Sequence, residues 1–212
     1  MARKDIYIIR HGETDYNRRG IVQGSGVDAP LNDMGRAQAE AFFQAYQHMP
    51  FAKIYTSTLI RTYQTVEPFV ELGIPYEKLS GLNEISWGIM EGKIPNNLDD
   101  EYYRNLIENW SAGNTAMPAD EGESPEQVVT RQRPAMAHIM AQTNESPVLI
   151  AMHGRAMRIL LSWLLDKPLA RMDTFEHSNL CLYKLGYDND TRQFTLDVAN
   201  DTSHLLAVSS YY

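Results

Sequence analysis

Residues 6–14 read IYIIRHGET and residues 148–155 read VLIAMHGR. Each stretch is a short apolar run that ends in a histidine followed by a glycine. A continuous run of isoleucine, valine and leucine predicts a buried strand of a parallel sheet. In an open α/β sheet, the residues just beyond the carboxyl ends of the strands line the crevice where ligands bind. The two histidines are therefore predicted to meet at one site, although they lie far apart along the chain.

The residues at the first strand end suit phosphate chemistry. His11 lies between Arg10 and Gly12, and an arginine also follows the second histidine-glycine pair. An imidazole can attack phosphorus and form a covalent intermediate, and a guanidinium group matches phosphate oxygens bidentately. Gly12 is expected to let the backbone approach a ligand closely. The pattern predicts a phosphoryl-transfer site built around a nucleophilic histidine.

The composition is typical of one globular domain covering residues 1–212. The chain is 43% hydrophobic and 22% charged, which is ordinary for a protein with a full-sized core. Its amino-terminal residues lack an apolar stretch that would indicate a signal peptide or a membrane span. Cys181 is the single cysteine, which excludes an internal disulfide and a cysteine-rich metal site. We therefore expect a cytoplasmic protein.

The acidic charge balance bears on the partners. A net charge of −8 argues against nonspecific binding to nucleic acid, which needs a basic surface. The same charge repels anions at long range, so a phosphate ligand must be held by a local basic pocket. We expect a small-molecule phosphate ester as the ligand, with neither nucleic acid nor membrane as a partner. A homodimer is left open.

Hydrophobic runs and turn residues divide the chain into alternating strands and helices. The predicted strands are 5–9, 53–56, 76–79, 147–151, 180–186 and 193–199. The predicted helices begin at Asn32 or Asp33, at Ser57 or Thr58, near 98, at Ser124 and at 155. This alternation predicts a three-layer α/β/α sandwich with a mostly parallel central sheet. The last hairpin is expected to add one antiparallel edge strand.

Two long segments fall outside the alternation. Residues 10–31 form a polar, glycine-containing loop that is too long for a simple connector, which is typical of functional loops. Residues 94–124 form an insertion with one helix near 98–110 and the aromatic residues Tyr102, Tyr103 and Trp110. We predict that this small helical insertion covers the site and determines which substrate is accepted.

Several motifs, in this order along nearly the whole chain, resemble the signature of the histidine phosphatase superfamily, also called phosphoglycerate-mutase-like. They are RHGET at 10–14, Asn17, QG at 23–24, DAPL at 28–31, GRAQA at 35–39, STLIRTYQT at 57–65, LNE at 82–84 and HG at 153–154. A lone RHG would be a moderate signal, whereas the ordered set is a strong one. The glycine-rich segment after Gln23 is one residue longer than the commonest spacing in the family, which affects the rim of the pocket.

The resemblance implies a role for each matching residue. His11 would be the nucleophile that becomes phosphohistidine, and Arg10 and Arg61 would bind the phosphoryl oxygens, with His153 as a further donor. Glu84 would protonate the leaving oxygen and then activate water. The remaining substrate-binding positions would be Asn17, Gln23, Gly24 and Gly154. No metal and no cofactor are implied.

Some residues keep alternative interpretations. Glu13 and Glu91 compete with Glu84 for the role of acid and base. Arg155 stands where many family members carry a small residue, and it either contacts a second anionic group or is exposed. We expect Arg158 to be on the surface. Four other histidines are expected to be structural or to support the site indirectly: His48, His138, His177 and His204.

Three alternatives to a phosphatase follow from the same residues. Cofactor-dependent mutases of this family are usually longer and carry more basic residues, whereas the insertion at 94–124 has Arg104 as its one cation beside seven acidic residues. A catalytically inactive binding relative would typically have lost the nucleophile or an arginine, and here every expected position is occupied. A metallohydrolase would need metal-ligand spacings that the histidines lack. The sequence therefore favours a phosphatase.

Overall fold

A computed structural model describes residues 3–209 of the chain, and its centre is one six-stranded sheet of order β3-β2-β4-β1-β5-β6. The strands are β1 (Lys4–Arg10), β2 (Lys53–Thr56), β3 (Tyr76–Lys78), β4 (Val148–Met152), β5 (Leu182–Asp188) and β6 (Gln193–Asp201). The first four strands are mutually parallel, and β5 runs antiparallel to β1. The predicted mostly parallel sheet is confirmed, and its antiparallel edge is a pair of strands, because β6 pairs antiparallel with β5.

Helices cover both faces of the sheet, as the sandwich prediction requires. They are α1 (Asp15–Arg18), α2 (Asp33–Tyr46), α3 (Ile60–Glu71), α4 (Asn97–Ser111), α5 (Pro125–Ala141), α6 (Gly154–Leu164) and α7 (Leu206–Ser209). Asn32 caps α2 and Ser124 caps α5, because each side chain accepts a hydrogen bond from a backbone N–H in the first turn. The prediction that Ser57 or Thr58 caps α3 is wrong. Leu59 is the cap residue and supplies no side-chain bond.

Successive side chains of β1 point to opposite faces of the sheet. Ile6 and Ile8 point into the apolar core shared with α5 and α6. Tyr7 and Ile9 point the other way, toward Phe42 of α2 and the buried side of α3. Because β1 is covered on both faces, its carboxyl end is held firmly where the candidate nucleophile follows.

The segment 94–124 packs onto the body of the protein. The helix predicted near 98–110 is confirmed as α4, and its buried Leu106 and Trp110 join a third apolar cluster with Trp87 and with Ile159 of α6. Trp110 also donates from its indole Nε1 to the Met117 carbonyl at 2.8 Å. Within residues 3–209, no helix has the length and apolar character needed to cross a membrane.

Two glycines bring α2 against the loop that follows β1. A Cβ on Gly12 would lie 2.6 Å from the Gly35 carbonyl oxygen, and a Cβ on Gly35 would overlap the Glu13 carbonyl. We expected Gly12 to let the backbone approach a ligand closely. This expectation is corrected, because the close neighbour of Gly12 is the backbone of α2. Both glycines let the start of α2 pack directly on the loop beside His11.

Gly35→Ala should destabilise the protein by about 1–3 kcal/mol through this overlap. Alanine would otherwise stabilise a helix relative to glycine by about 1 kcal/mol, so the sign of the change is diagnostic. Urea denaturation measures the free energy of unfolding. Arg36→Ala, at the exposed next position, is the control and should stay within about 0.5 kcal/mol of wild type. A stabilised Gly35→Ala variant would contradict the packing described here.

Candidate active site

Three strand ends meet at one edge of the sheet. β4 lies between β1 and β2, with Arg10 beside Met152 and Thr56 beside Ala151 in the strand registers. The residues that follow these ends are His11, Ser57 and His153. The imidazole rings of His11 and His153 are 5.2 Å apart between centroids, so the predicted meeting of the two histidines is observed.

A cavity of about 160 Å³ opens at this edge. It is lined by Arg10, His11, Asn17, Ile21, Val22, Gln23, Gly24, Arg61, Glu84, Trp87, Tyr103, Gly154, Arg155 and His177. Nearly all the candidate site residues therefore face one volume. Tyr103 brings α4 into its wall.

The orientation of His11 leaves one ring nitrogen free for chemistry. Its Nδ1 is 2.7 Å from the Gly12 carbonyl oxygen, and because a carbonyl can only accept, Nδ1 carries the proton. Nε2 therefore keeps its lone pair. Burial, reinforced by the positive charges of Arg61 and Arg10, lowers the pKa of His11 well below its usual value, so the ring is neutral at physiological pH.

Arg61 is almost fully buried and is held by three acceptors. Its Nη1 and Nη2 donate to the carbonyls of Val27 and Gly24, at 2.7 and 2.8 Å. Its Nε donates to His153 Nδ1 at 3.2 Å. Burial lowers the pKa of Arg61 to about 10, which still leaves the guanidinium charged at neutral pH. His153 and the loop that carries Gly24 thus fix the Arg61 guanidinium at the cavity wall.

His153 is fully buried, and the structure does not place it in the wall of the cavity. Its Nδ1 accepts from Arg61, so its Nε2 carries the proton and donates to Ser57 Oγ at 2.8 Å. Burial first, and the Arg61 charge second, lower its pKa well below the usual value. This arrangement departs from the expectation that His153 donates to the phosphoryl group. Both ring nitrogens are occupied, and its contact with the site runs through Arg61.

Arg10 is oriented by a residue that the sequence did not assign to the cavity. Its Nη1 donates to the His177 carbonyl at 3.1 Å and lies 3.4 Å from His177 Nδ1. Burial and the neighbouring Arg10 charge lower the pKa of His177 to about 3, so the ring is neutral. His177 lies in a loop without a local motif, and only the fold brings it to the Arg10 guanidinium.

Glu84 is the one of the three candidate carboxylates that lines the cavity. Its Oε1 accepts from the Ala156 N–H at 2.8 Å and its Oε2 from the Arg155 N–H at 3.1 Å, which places it at the start of α6. Glu13 instead accepts from Asn32 Nδ2, and Glu91 accepts from the backbone at Gly26 and Trp87. Both of these carboxylates organise loops.

The smaller positions complete the wall in different ways. Asn17 Oδ1 accepts from Thr14 and Asn179, which leaves its Nδ2 as the group available to a ligand. Gly24 presents its carbonyl to Arg61. A Cβ on Gly154 would lie 3.1 Å from His177 Nε2 and 3.4 Å from Arg10 Nε, so glycine keeps this corner open.

The two arginines of α6 are less exposed than expected. Arg155 is buried and lines the cavity, which removes its interpretation as an exposed residue. Arg158 is largely buried and donates from Nε to the Phe175 carbonyl at 2.7 Å, so its expected surface position is wrong. His204 has the structural role expected of it, since its Nε2 bonds the Leu180 carbonyl and its ring packs on Phe42.

Metal-ligating side chains do not gather in the described part of the chain. Residues 3–209 contain no group of three or more His, Cys, Asp or Glu side chains arranged to hold a metal ion. Cys181 is buried, and its burial raises the pKa of the thiol to about 11. The polar side chains of the cavity are two histidines, three arginines, one carboxylate and two amides, together with the hydroxyl of Tyr103 and the indole of Trp87.

Comparison with known proteins assigns the family. The sequence model of the histidine phosphatase superfamily (branch 1) matches residues 6–202. The chain belongs to this superfamily. The resemblance seen in the motifs is therefore confirmed. The human protein 6-phosphofructo-2-kinase/fructose-2,6-bisphosphatase 4 is 32% identical over 207 residues, which cover 95% of this chain and 42% of that protein. The chain thus spans about two fifths of the length of the curated relatives it matches.

Solved structures of similar size share the whole fold. The mycobacterial glucosyl-3-phosphoglycerate phosphatase superposes with a TM-score of 0.82 at 26% identity, covering 95% of this chain and 100% of that one. The protein YhfR of Bacillus stearothermophilus gives a TM-score of 0.81 at 29% identity, covering 95% and 98%. These solved structures therefore share the fold of this chain over nearly its whole length.

The low pKa of His177 predicts an acid-dependent loss of stability. An unfolded histidine titrates near pH 6.5, so between about pH 3 and 6.5 the unfolded chain binds more protons at this residue. Its contribution to stability is complete above about pH 6.5 and declines as the pH falls. His177→Gln should flatten this decline by up to about 1.4 kcal/mol per pH unit.

Urea denaturation at several pH values measures this difference. Between about pH 7.5 and 8.5, His177 is neutral in both the folded and the unfolded chain. The free energies of unfolding of wild type and variant should therefore change with pH in parallel over this range, which serves as an internal control. Curves that also run parallel between about pH 4 and 6 would contradict the neutral, buried state of His177.

Proposed function

We propose that the chain hydrolyses phosphomonoesters of small metabolites through a phosphohistidine on His11. The observation that carries this proposal is the free Nε2 lone pair of a neutral imidazole that faces a cavity beside two buried guanidinium groups. The names of the relatives support a hydrolase, since they include a glucosyl-3-phosphoglycerate phosphatase and a fructose-2,6-bisphosphatase. The family relationship and the geometry thus favour the same reaction.

In the first step, His11 Nε2 attacks phosphorus and the new N–P bond replaces the P–O bond to the leaving group. Charge is spread over the phosphoryl oxygens in the transition state, and fixed positive donors stabilise it without reorganisation. Arg10 and Arg61 are suited to this task because backbone carbonyls already hold them in place. His153 then acts as a positioning residue that orients Arg61 through its Nε.

Glu84 moves the protons of both steps in this proposal. It gives a proton to the leaving oxygen as the P–O bond breaks, so the alcohol departs neutral. In the second step, water attacks phosphorus, its proton goes to Glu84, and the N–P bond breaks to release phosphate and restore neutral His11. Asn17 and Gly154 are proposed to add donors to the bound oxyanion, from an amide and from a backbone N–H.

The alternative function is a mutase, in which the phosphoryl group passes from His11 to a second hydroxyl group instead of to water. The residues of the cavity do not favour this transfer over hydrolysis. We also propose a cytoplasmic location, because Cys181 is the single cysteine, and a small phosphate ester as the partner, because arginine side chains line the cavity. Sedimentation of the purified protein would decide whether it forms a homodimer.

His11→Ala should abolish hydrolysis of p-nitrophenyl phosphate and remove the covalent intermediate. Rapid quenching of wild type with a ³²P-labelled substrate should trap an adduct that is stable to base and labile to acid. His48→Ala is the control, because His48 is exposed just beyond α2, whose 14 residues extend about 21 Å from the site. A label on any residue other than His11 would overturn the assignment.

Glu84→Gln should lower kcat by about 10²–10⁴-fold on alkyl phosphates without weakening the binding of inorganic phosphate. The loss should be smaller on p-nitrophenyl phosphate, because its leaving group needs little protonation. Glu13→Gln is the matched control, since Glu13 lies outside the cavity and contacts Asn32. Equal losses on the two substrate types would leave Glu84 with a structural role only.

A further inference from the structure

We propose that Arg131 is a positioning residue for the reaction, because it holds the stretch of backbone that carries Glu84. This inference rests on the role proposed for Glu84 and goes beyond it by assigning a residue that does not line the cavity to the reaction. It is carried by the hydrogen bonds of one guanidinium group and by the way in which the Glu84 carboxyl group is held.

Every N–H group of the Arg131 guanidinium has an acceptor. Its Nη1 donates to the carbonyls of Gly81 and Asn83 at 3.0 and 2.9 Å, and its Nη2 donates to the carbonyl of Glu84 at 2.9 Å. The remaining two N–H groups, on Nε and Nη2, donate to the two carboxylate oxygens of Glu123 at 2.8 and 3.0 Å. A guanidinium carries five N–H donors in one plane, so the orientation of this one is fully determined.

The backbone at Glu84 depends on partners from outside its own segment. Residues 84–87 lie between two short 3₁₀ helices, Ser80–Leu82 and Gly88–Met90, and belong to neither. Backbone carbonyls that have no partner in a helix or a sheet must find another donor when they are buried. Arg131 supplies donors to two consecutive carbonyls, those of Asn83 and Glu84. The guanidinium therefore fixes the path of the chain at the residue proposed as acid and base.

Glu123 holds the other side of the same segment. Its Oε2 accepts from the Ser86 N–H at 2.9 Å in addition to Arg131. Burial alone would raise the pKa of Glu123, but the hydrogen bonds and the charge of Arg131, together with the bond from Ser86, outweigh burial and lower this pKa below its usual value. Glu123 is therefore ionised at neutral pH. The backbone on both sides of Ile85 is thus held by an ion pair between α5 and the residue before its cap.

The side chain of Glu84 is held from the opposite direction. Its two oxygens accept from the N–H groups of Arg155 and Ala156 in the first turn of α6. These N–H groups have no partner within their own helix, and His153, the cap residue of α6, supplies no side-chain bond. Glu84 therefore takes the place of a capping side chain. With its backbone fixed to α5 and its carboxyl group fixed to α6, it has one arrangement at the cavity wall.

Arg131→Met should lower kcat by about 10- to 100-fold on benzyl phosphate, because a displacement of about 1 Å in a reacting group can cost about 10²-fold. The loss should be smaller on p-nitrophenyl phosphate, whose leaving group needs little protonation. KM should change little on either substrate, since Arg10 and Arg61 are not touched. Arg133→Met is the matched control, because it removes the same charge from an exposed position of α5 beside Trp163, and its kcat should equal that of wild type.

A double-mutant cycle separates positioning from a general weakening of the fold. Glu84→Gln has no acid left to position, so adding Arg131→Met should slow the hydrolysis of benzyl phosphate by less than about 2-fold further. Two losses that multiply would overturn the inference. Arg131→Lys keeps a cation beside Glu123 but has three donors instead of five, so its kcat should lie between those of wild type and Arg131→Met. It provides the same cycle if Arg131→Met does not fold.

Amide hydrogen exchange measured by NMR tests the position of Glu84 without any reaction. The N–H groups of Arg155 and Ala156 should exchange at least about 10-fold faster in the Arg131 variant, because their charged acceptor is no longer held. The Ile150 amide in the centre of β4 should keep its protection and report an intact fold. Unchanged exchange at both α6 positions overturns the inference.

The two readouts distinguish failure of this inference from failure of the proposed function. Faster exchange at the start of α6, combined with equal losses for Glu84→Gln on the two substrates, would keep Arg131 as the residue that positions Glu84 and reject Glu84 as the acid. A Glu84→Gln variant that discriminates between the substrates, beside an Arg131→Met variant that does not, would keep the acid and reject the positioning role.

Discussion

The arrangement of the site depends on keeping the Arg61 guanidinium charged inside the protein, where only 1% of the residue is exposed. Taking a charged group out of water costs several kcal/mol unless the protein supplies partners. Here the partners are the carbonyls of Gly24 and Val27 and the ring of His153. The long loop after β1 is therefore ordered by an arginine that comes from α3. The same bonds that stabilise the cation also shape the rim of the cavity.

The neutral state of the two histidines is the consequence of burial, which this concentration of positive charge reinforces. An imidazolium beside Arg10 and Arg61 would add a third cation to a buried site, so the environment lowers the pKa of His11 and His153 well below the usual value. The neutral state is also the nucleophilic one. A phosphate dianion entering the cavity thus meets fixed positive charge and a free nitrogen lone pair together. The acidic net charge of the chain does not prevent this, because the interaction is local.

The sequence predicts most of this fold because its strands are continuous apolar runs and its helices carry strong start signals. β2 and the caps at Asn32 and Ser124 are found where the residues indicate them. The cap of α3 is not predicted, because Ser57 is engaged by His153, whose contact exists only after β2 and β4 pair. The sequence leaves the position of Arg155 open and misses the burial of Arg158 for a related reason. Their partner Asp173 lies in a short 3₁₀ helix (Leu169–Thr174) that no local pattern connects with α6.

The division of labour within the cavity follows from which elements build it. The end of β1 supplies Arg10 and His11, which the sheet register fixes, and α3 supplies Arg61. Backbone hydrogen bonds from the start of α6 hold Glu84 in place. The outer wall comes from Trp87, Tyr103 and Arg155, which are joined through aromatic packing in the third cluster. Changes in α4 can therefore alter the outer wall without moving the strand ends. A fold organised in this way can keep one reaction while its leaving-group contacts vary.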